Sequence, residues 1–124
     1  STPEYSLAVD ANGSVIEVPF ASTYVGRTRL SGGAILLDEY ANTTGATISI
    51  SNTGVGVYTI TASSGVFATN TVAFVQLQGA AGVGFATTAV ATSSTVIIRT
   101  FNVSGVADDA VINTGSYIKI ESYA

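Results

Sequence analysis

"GATISISNTGVGVYTITASSG", residues Gly45 to Gly65, decides the fold. Ile48 and Ile50 fall on one side of an extended chain, and Thr47, Ser49 and Ser51 on the other. Beyond the glycine turn, Tyr58, Ile60 and Ala62 share one face while Val57, Thr59 and Thr61 share the opposite one. Strict alternation of this kind is the period of a half-buried antiparallel pair. The stretch predicts two strands joined by a tight turn.

The same signal recurs outward in both directions. "YSLAVDANGSVIEVP" holds two apolar runs about Asn12-Gly13, a pair that tolerates positive φ and so favours a hairpin. Strands are expected at Tyr5–Val9 and Val15–Val18, with Pro19 ending the second. "FASTYVGRTRLSGG" (Phe20 to Gly33) lacks a period and is read as a loop with one short strand near Arg27–Leu30. "AILLDEY" (Ala34 to Tyr40) reads as a strand or a helical turn, and "ANTTG" as a turn. "TVAFVQLQ" (Thr71 to Gln78) is apolar on both faces, which predicts a strand with the core on one side and a partner on the other. "FATTAV" and "STVIIRTFN" are further strands. "VSGVADDAVINTG" is a polar loop with a short strand expected at Ala110–Asn113. "SYIKIESY" closes the chain with Ile118 and Ile120 inward.

This makes an all-β chain of about eight antiparallel strands beyond an N-terminal β-hairpin, in a sandwich or a barrel. Composition agrees. Isoleucine and valine supply 25 of the 124 residues, leucine 5 and threonine 17. Branching at Cβ stiffens the side chain and suits a pleated surface. Two units are expected: residues 1–19 as a hairpin or junction segment, and 20–124 as the main domain. The absence of methionine is read as the mark of a piece of a longer protein.

Charge is sparse, at 10% of the chain against roughly 25% in an average globular domain. Two causes are open: sister subunits cover the surface, or serine and threonine keep it wet. Net charge is −4 and Arg27, Arg29, Arg99 and Lys119 are the only cations, which argues against nucleic-acid binding. No apolar run approaches the roughly 20 residues of a membrane helix, and no membrane insertion is expected.

The chain has no histidine and no cysteine, so Ser–His, Cys–His and most zinc arrangements are excluded. No enzyme activity and no cofactor are expected. Asp38 and Glu39 would point to opposite faces of a strand. Asp108 and Asp109, with Asn113, are the candidates for a calcium ion, set against a plain solvated turn. Arg27 and Arg29 are candidates for an anionic ligand, set against pairing with Asp38, Glu39 or a neighbouring subunit. The tyrosines Tyr24, Tyr40, Tyr58, Tyr117 and Tyr123 are read as packing residues, with a sugar-stacking platform as the other use.

Two stretches together resemble a known family. "YSLAVDANGSVIEVP" looks like the short segment before the terminal domain of phage tail-fibre and head-fibre proteins, particularly in phages of Bacteroidetes. "GVGVYTITASSGVF", with "STVIIRTFNVSGVADDAVINTGSYIKI", resembles the terminal head domains of such fibres. The resemblance rests on Gly56 to Ile60, on a strand ending at Phe101-Asn102, on Ser104-Gly105 and its acidic loop, and on Tyr117–Ile120. Residues Phe20 to Tyr40 fall outside it. It implies a tumour necrosis factor-like jelly roll and a homotrimer on the virion surface. Other virion proteins and a host-surface glycan or protein are the implied partners. Val72, Phe74, Val75 and Leu77 are the candidate interface residues, and the Arg27–Gly33 and Gly105–Gly115 loops the candidate recognition elements. The alternative is a carbohydrate-binding or adhesin module of a secreted bacterial protein.

Overall fold

The computed structural model describes residues 5–9, 12–13, 15–19, 21–78, 84–112 and 115–123. Strands β1 (Tyr5–Val9) and β2 (Val15–Pro19) form an antiparallel hairpin with Leu7 opposite Glu17. They belong to neither of the two larger sheets. Those sheets contain β3 (Ser22–Ser31), β4 (Ala34–Asn42), β5 (Ile48–Gly54), β6 (Val57–Ala62), β7 (Asn70–Gln76), β8 (Gly84–Thr92), β9 (Thr95–Asn102) and β10 (Tyr117–Tyr123). The first sheet runs β4-β3-β10-β7 and the second β5-β6-β9-β8, every pairing antiparallel. This is an eight-stranded β-sandwich of jelly-roll type. The first and last strands pair at the centre of one sheet, while β6 and β9 pair at the centre of the other.

Alternation creates the core. Tyr58, Ile60 and Ala62 of β6 are buried, as are Val96 and Ile98 of β9 and Ile118 and Ile120 of β10. They meet Tyr24, Ile35, Ile48, Phe67 and Ile112 in one apolar cluster between the sheets. Burying an isoleucine side chain contributes roughly 1.5–3 kcal/mol, so the paired central strands carry much of the stability. The turn at Asn42 is held by its side chain. Oδ1 accepts from the Thr44 N–H at 3.0 Å, and Nδ2 donates to the Ala46 carbonyl at 2.8 Å.

Two expectations change, and a third segment shows its two faces. Phe20–Gly33 is not a loop with a short strand: Ser22–Ser31 is one ten-residue strand at the heart of its sheet. Its inward positions are Tyr24, Gly26 and Thr28, all buried, so the alternation is real but not apolar. Gly26 is required there, because a Cβ would lie 2.5 Å from the Tyr24 hydroxyl. The strand expected at Ala110–Asn113 is a 3-10 turn over Asp109–Val111, and Asn113 lies outside the described residues. It is capped by Asp108, whose Oδ1 accepts from the Ala110 N–H at 2.9 Å. The segment "TVAFVQLQ" is buried on one face only within the chain. Ala73, Val75 and Leu77 pack on the core, while Val72 and Phe74 are 45% and 52% exposed.

Two core tyrosines make the fold sensitive to alkali. Burial pushes Tyr24 up to about 12, with Glu39 and Asp38 adding to it. Burial likewise raises Tyr58 to about 12, helped by Asp109 and opposed by a hydrogen bond with Asn52. The native state therefore holds both protons after the unfolded chain has lost them. Stability is complete below about pH 10 and falls as pH rises towards 12, by on the order of 2 kcal/mol for each tyrosine. The hydroxyls differ in partner: Tyr58 donates to the Asp109 carbonyl at 3.1 Å, whereas that of Tyr24 meets no partner among the described residues. Denaturant titrations should show Tyr58→Phe losing about 1 kcal/mol at pH 7 and Tyr24→Phe remaining at least as stable as wild type. Tyr24→Phe should also halve the alkaline loss. A Tyr24→Phe protein weaker by about 2 kcal/mol or more would contradict this assignment.

Candidate functional site

Backbone hydrogen bonds sort the connections to two ends of the sandwich. At one end, Thr43 N–H donates to the Thr23 carbonyl and Phe67 N–H to the Ser93 carbonyl, each at 2.8 Å. Ser22 and Ser122 pair there, so the chain enters and leaves the sandwich at this end. At the other end, Thr28 N–H donates to the Ser116 carbonyl at 2.8 Å and Gly115 N–H to the Thr28 carbonyl at 2.9 Å. The two candidate recognition loops, distant in sequence, thus meet at the end opposite chain entry.

The β5–β6 turn joins them through Gly56. Its φ is +65°, and its N–H donates to Asp109 Oδ1 at 2.6 Å. Thr100 N–H donates to the Gly56 carbonyl at 2.8 Å, and Asp108 N–H to the Thr100 carbonyl at 3.1 Å. The adjacent carboxylates thus serve backbone: Asp108 caps the 3-10 turn and Asp109 holds the β5–β6 turn. Among the described residues no group of three His, Cys, Asp or Glu side chains is arranged to hold a metal ion. Composition made Asp109 visible as a loop carboxylate. Its partner lies 53 residues away and carries no local signal.

Arg27 and Arg29 lie in β3 rather than in a loop, and both face outward. Arg29 Nε bonds Asp38 at 3.2 and 3.1 Å to its two oxygens. The Arg27 guanidinium lies 5.9 Å from the centre of the Tyr117 ring, and Tyr117 lies 6.0 Å from Tyr40. Lys119 pairs with Glu121 at 2.8 Å. That contact raises the lysine and, together with the Tyr123 hydroxyl, holds the glutamate below its usual range. Tyr24 and Tyr58 are core residues, so the five tyrosines do not form one platform.

The outward faces of the two sheets differ. The β5-β6-β9-β8 sheet presents hydroxyls from Ser49, Ser51, Thr59, Thr61, Thr87 and Thr95 beside Ile97 and the stacked Phe85–Phe101 pair, with Arg99 its one charge among the described residues. On the β4-β3-β10-β7 sheet, Phe74 stands beside Lys119, and Lys119 beside Val25; Val72 stands beside Glu121. Tyr40, at 58% exposed, extends this apolar surface. Of the candidate interface residues, Val72 and Phe74 lie on it. Val75 and Leu77 face the core instead, because β10 aligns Val75 with buried Ile118.

Comparison with known protein families, with curated proteins and with solved structures gives no match. The fold itself defines the class: an antiparallel β-sandwich with a loop-bearing end and an opposite end where the chain enters.

The Gly56–Asp109 junction can be tested by stability. A Cβ at Gly56 would lie 2.6 Å from the Thr100 carbonyl oxygen and 2.8 Å from the Asp108 nitrogen. Gly56→Ala should cost at least about 2 kcal/mol. Asp109→Ala should cost about 1–3 kcal/mol by leaving a buried N–H without an acceptor, and Asp109→Asn less. Equal stability of wild type and Gly56→Ala in urea titrations would rule the junction out.

Proposed function

We propose that this chain is the head domain of a trimeric fibre, spike or capsid-decoration protein on a virion surface. Its role is structural display rather than catalysis. One observation carries the reading: the outward face around Val72, Phe74, Val25 and Tyr40 holds an apolar patch, and two of the three cations on that face are paired, while Arg27 lies against the Tyr117 ring. Arg29 is held by Asp38 and Lys119 by Glu121. An unpaired charge is costly to take out of water, whereas a paired and hydrogen-bonded one costs less. Such a face suits burial against identical copies.

The arrangement of ends supports the same reading. Other virion proteins would attach where the chain enters, beside Ser22, while the loops at the far end meet the host surface. Three weak sites on one rigid trimer reinforce each other through effective concentration. The resemblance of the hairpin segment and the late strands to fibre heads points the same way.

Analytical ultracentrifugation should give three times the 12.5 kDa subunit mass. Phe74→Glu should reduce it to a single subunit without loss of the β-sheet circular dichroism. A wild-type chain that sediments as one subunit at micromolar concentration overturns the proposal.

A further inference from the structure

At the loop end, Leu30 of β3 and Ile35 of β4 face Asn52, Tyr58, Asp109 and Ala110 across a cleft of about 220 Å³. We propose that this cleft binds a single ring of a neutral sugar, displayed at the end of a surface glycan. The inference takes from the fibre-head reading only that this end faces outward.

Size comes first. Pockets that enclose a drug-sized ligand run to roughly 300–1,000 Å³, so this cleft suits one ring and not a longer chain. Polarity comes next. Asp109 Oδ1 is fixed by the Gly56 N–H at 2.6 Å, and the carboxylate also meets the Tyr58 hydroxyl, so it is held in place with lone pairs left over. A carboxylate oxygen can accept from two hydroxyls, as a vicinal diol offers. The Tyr58 hydroxyl donates to the Asp109 carbonyl and accepts from Asn52, which leaves one lone pair for a further proton. Asn52 Oδ1 accepts from the Gly54 N–H at 3.2 Å, orienting an amide that gives one proton to Tyr58 and keeps a second to donate. Leu30, 45% exposed, and Ile35 supply an apolar wall for the C–H face of a ring.

Charge selects within the sugars. No lysine or arginine lines the cleft. Arg29 is bonded to Asp38, Lys119 to Glu121, and Arg27 lies against Tyr117. An acidic sugar or a phosphate would meet the Asp109 carboxylate without a counter-charge, so the site favours neutral rings. The walls come from a hairpin, a turn and a loop already tied together by backbone hydrogen bonds, so binding orders little more of the chain.

The test is an NMR titration of the isotopically labelled intact chain with glucose, galactose, mannose and N-acetylglucosamine. Glucuronate serves as the acidic counterpart. Sugar is added to about 50 mM, above the roughly millimolar affinity of one small site. At least one neutral sugar should shift the amides of Gly56, Asp109 and Ala110 saturably, and glucuronate should shift them less. Asp109→Asn keeps an oxygen for Gly56 and should weaken binding about tenfold. Ala110→Tyr fills the cleft and should abolish it. No saturable shift from any of the four sugars, or unchanged binding in both variants, overturns the proposal. A sample that binds but sediments as one subunit keeps the cleft and replaces the fibre head with a secreted carbohydrate-binding module. A trimer without sugar shifts loses the cleft alone.

Discussion

A strand has two faces, and one sandwich can bury only one of them. This constraint governs the molecule. Between Glu39 and Arg99 the sequence contains no charged residue, so four consecutive strands must meet water without ionised groups. The inward faces solve half of the problem by packing Ile60, Val96, Ile98, Ile118 and Ile120 out of solvent. The outward faces solve the other half in two different ways.

One sheet turns to hydroxyls. Threonine keeps a β-branched stem for the pleat and a polar group for water, so β6 and β9 remain good strands with Thr59, Thr61 and Thr95 outward. The other sheet mixes paired charges on β3, β4 and β10 with aromatic and aliphatic groups, Phe74, Val72 and Tyr40 standing outward. Edge strands are usually guarded by charge or proline; β5, β7 and β8 have neither, and the Ala73 carbonyl of β7 accepts from Thr88 Oγ1 at 3.0 Å. In the proposed trimer, a second copy would cover the apolar patch around Phe74. The loop end is free of that demand. There Gly56 and Asp109 tie three connections into one rigid surface, and a small cleft opens between them.

Much of this was legible in the sequence. Tyr58, Ile60 and Ala62 alternate with Val57, Thr59 and Thr61 as clearly in the chain as in the sheet. What escaped did so for physical reasons. β3 is central, yet its inward residues are a tyrosine, a glycine and a threonine, so no apolar period marks it. The parity of β7 was ambiguous because both of its faces are apolar. Only its register against Ile118 and Ile120 assigns Val75 and Ala73 inward and Phe74 outward. Asp108 and Asp109 were visible as candidates, but their work as a cap and a turn anchor depends on Ala110 and Gly56, and the latter is brought near only by the fold. Arg27 and Arg29 were readable as sharing a face, and Arg29 does pair with Asp38.

The central claim is that identical copies cover the face carrying Phe74 and leave the hydroxyl-rich sheet open. Hydroxyl-radical footprinting reads this directly, since a chain without cysteine, methionine or tryptophan leaves phenylalanine and tyrosine among its most reactive side chains. Phe74 and Phe85 are about equally exposed in the single chain, at 52% and 48%. The account predicts that Phe74 is protected relative to Phe85 at working concentration and regains reactivity on dilution. Equal labelling of the two at every concentration would contradict it.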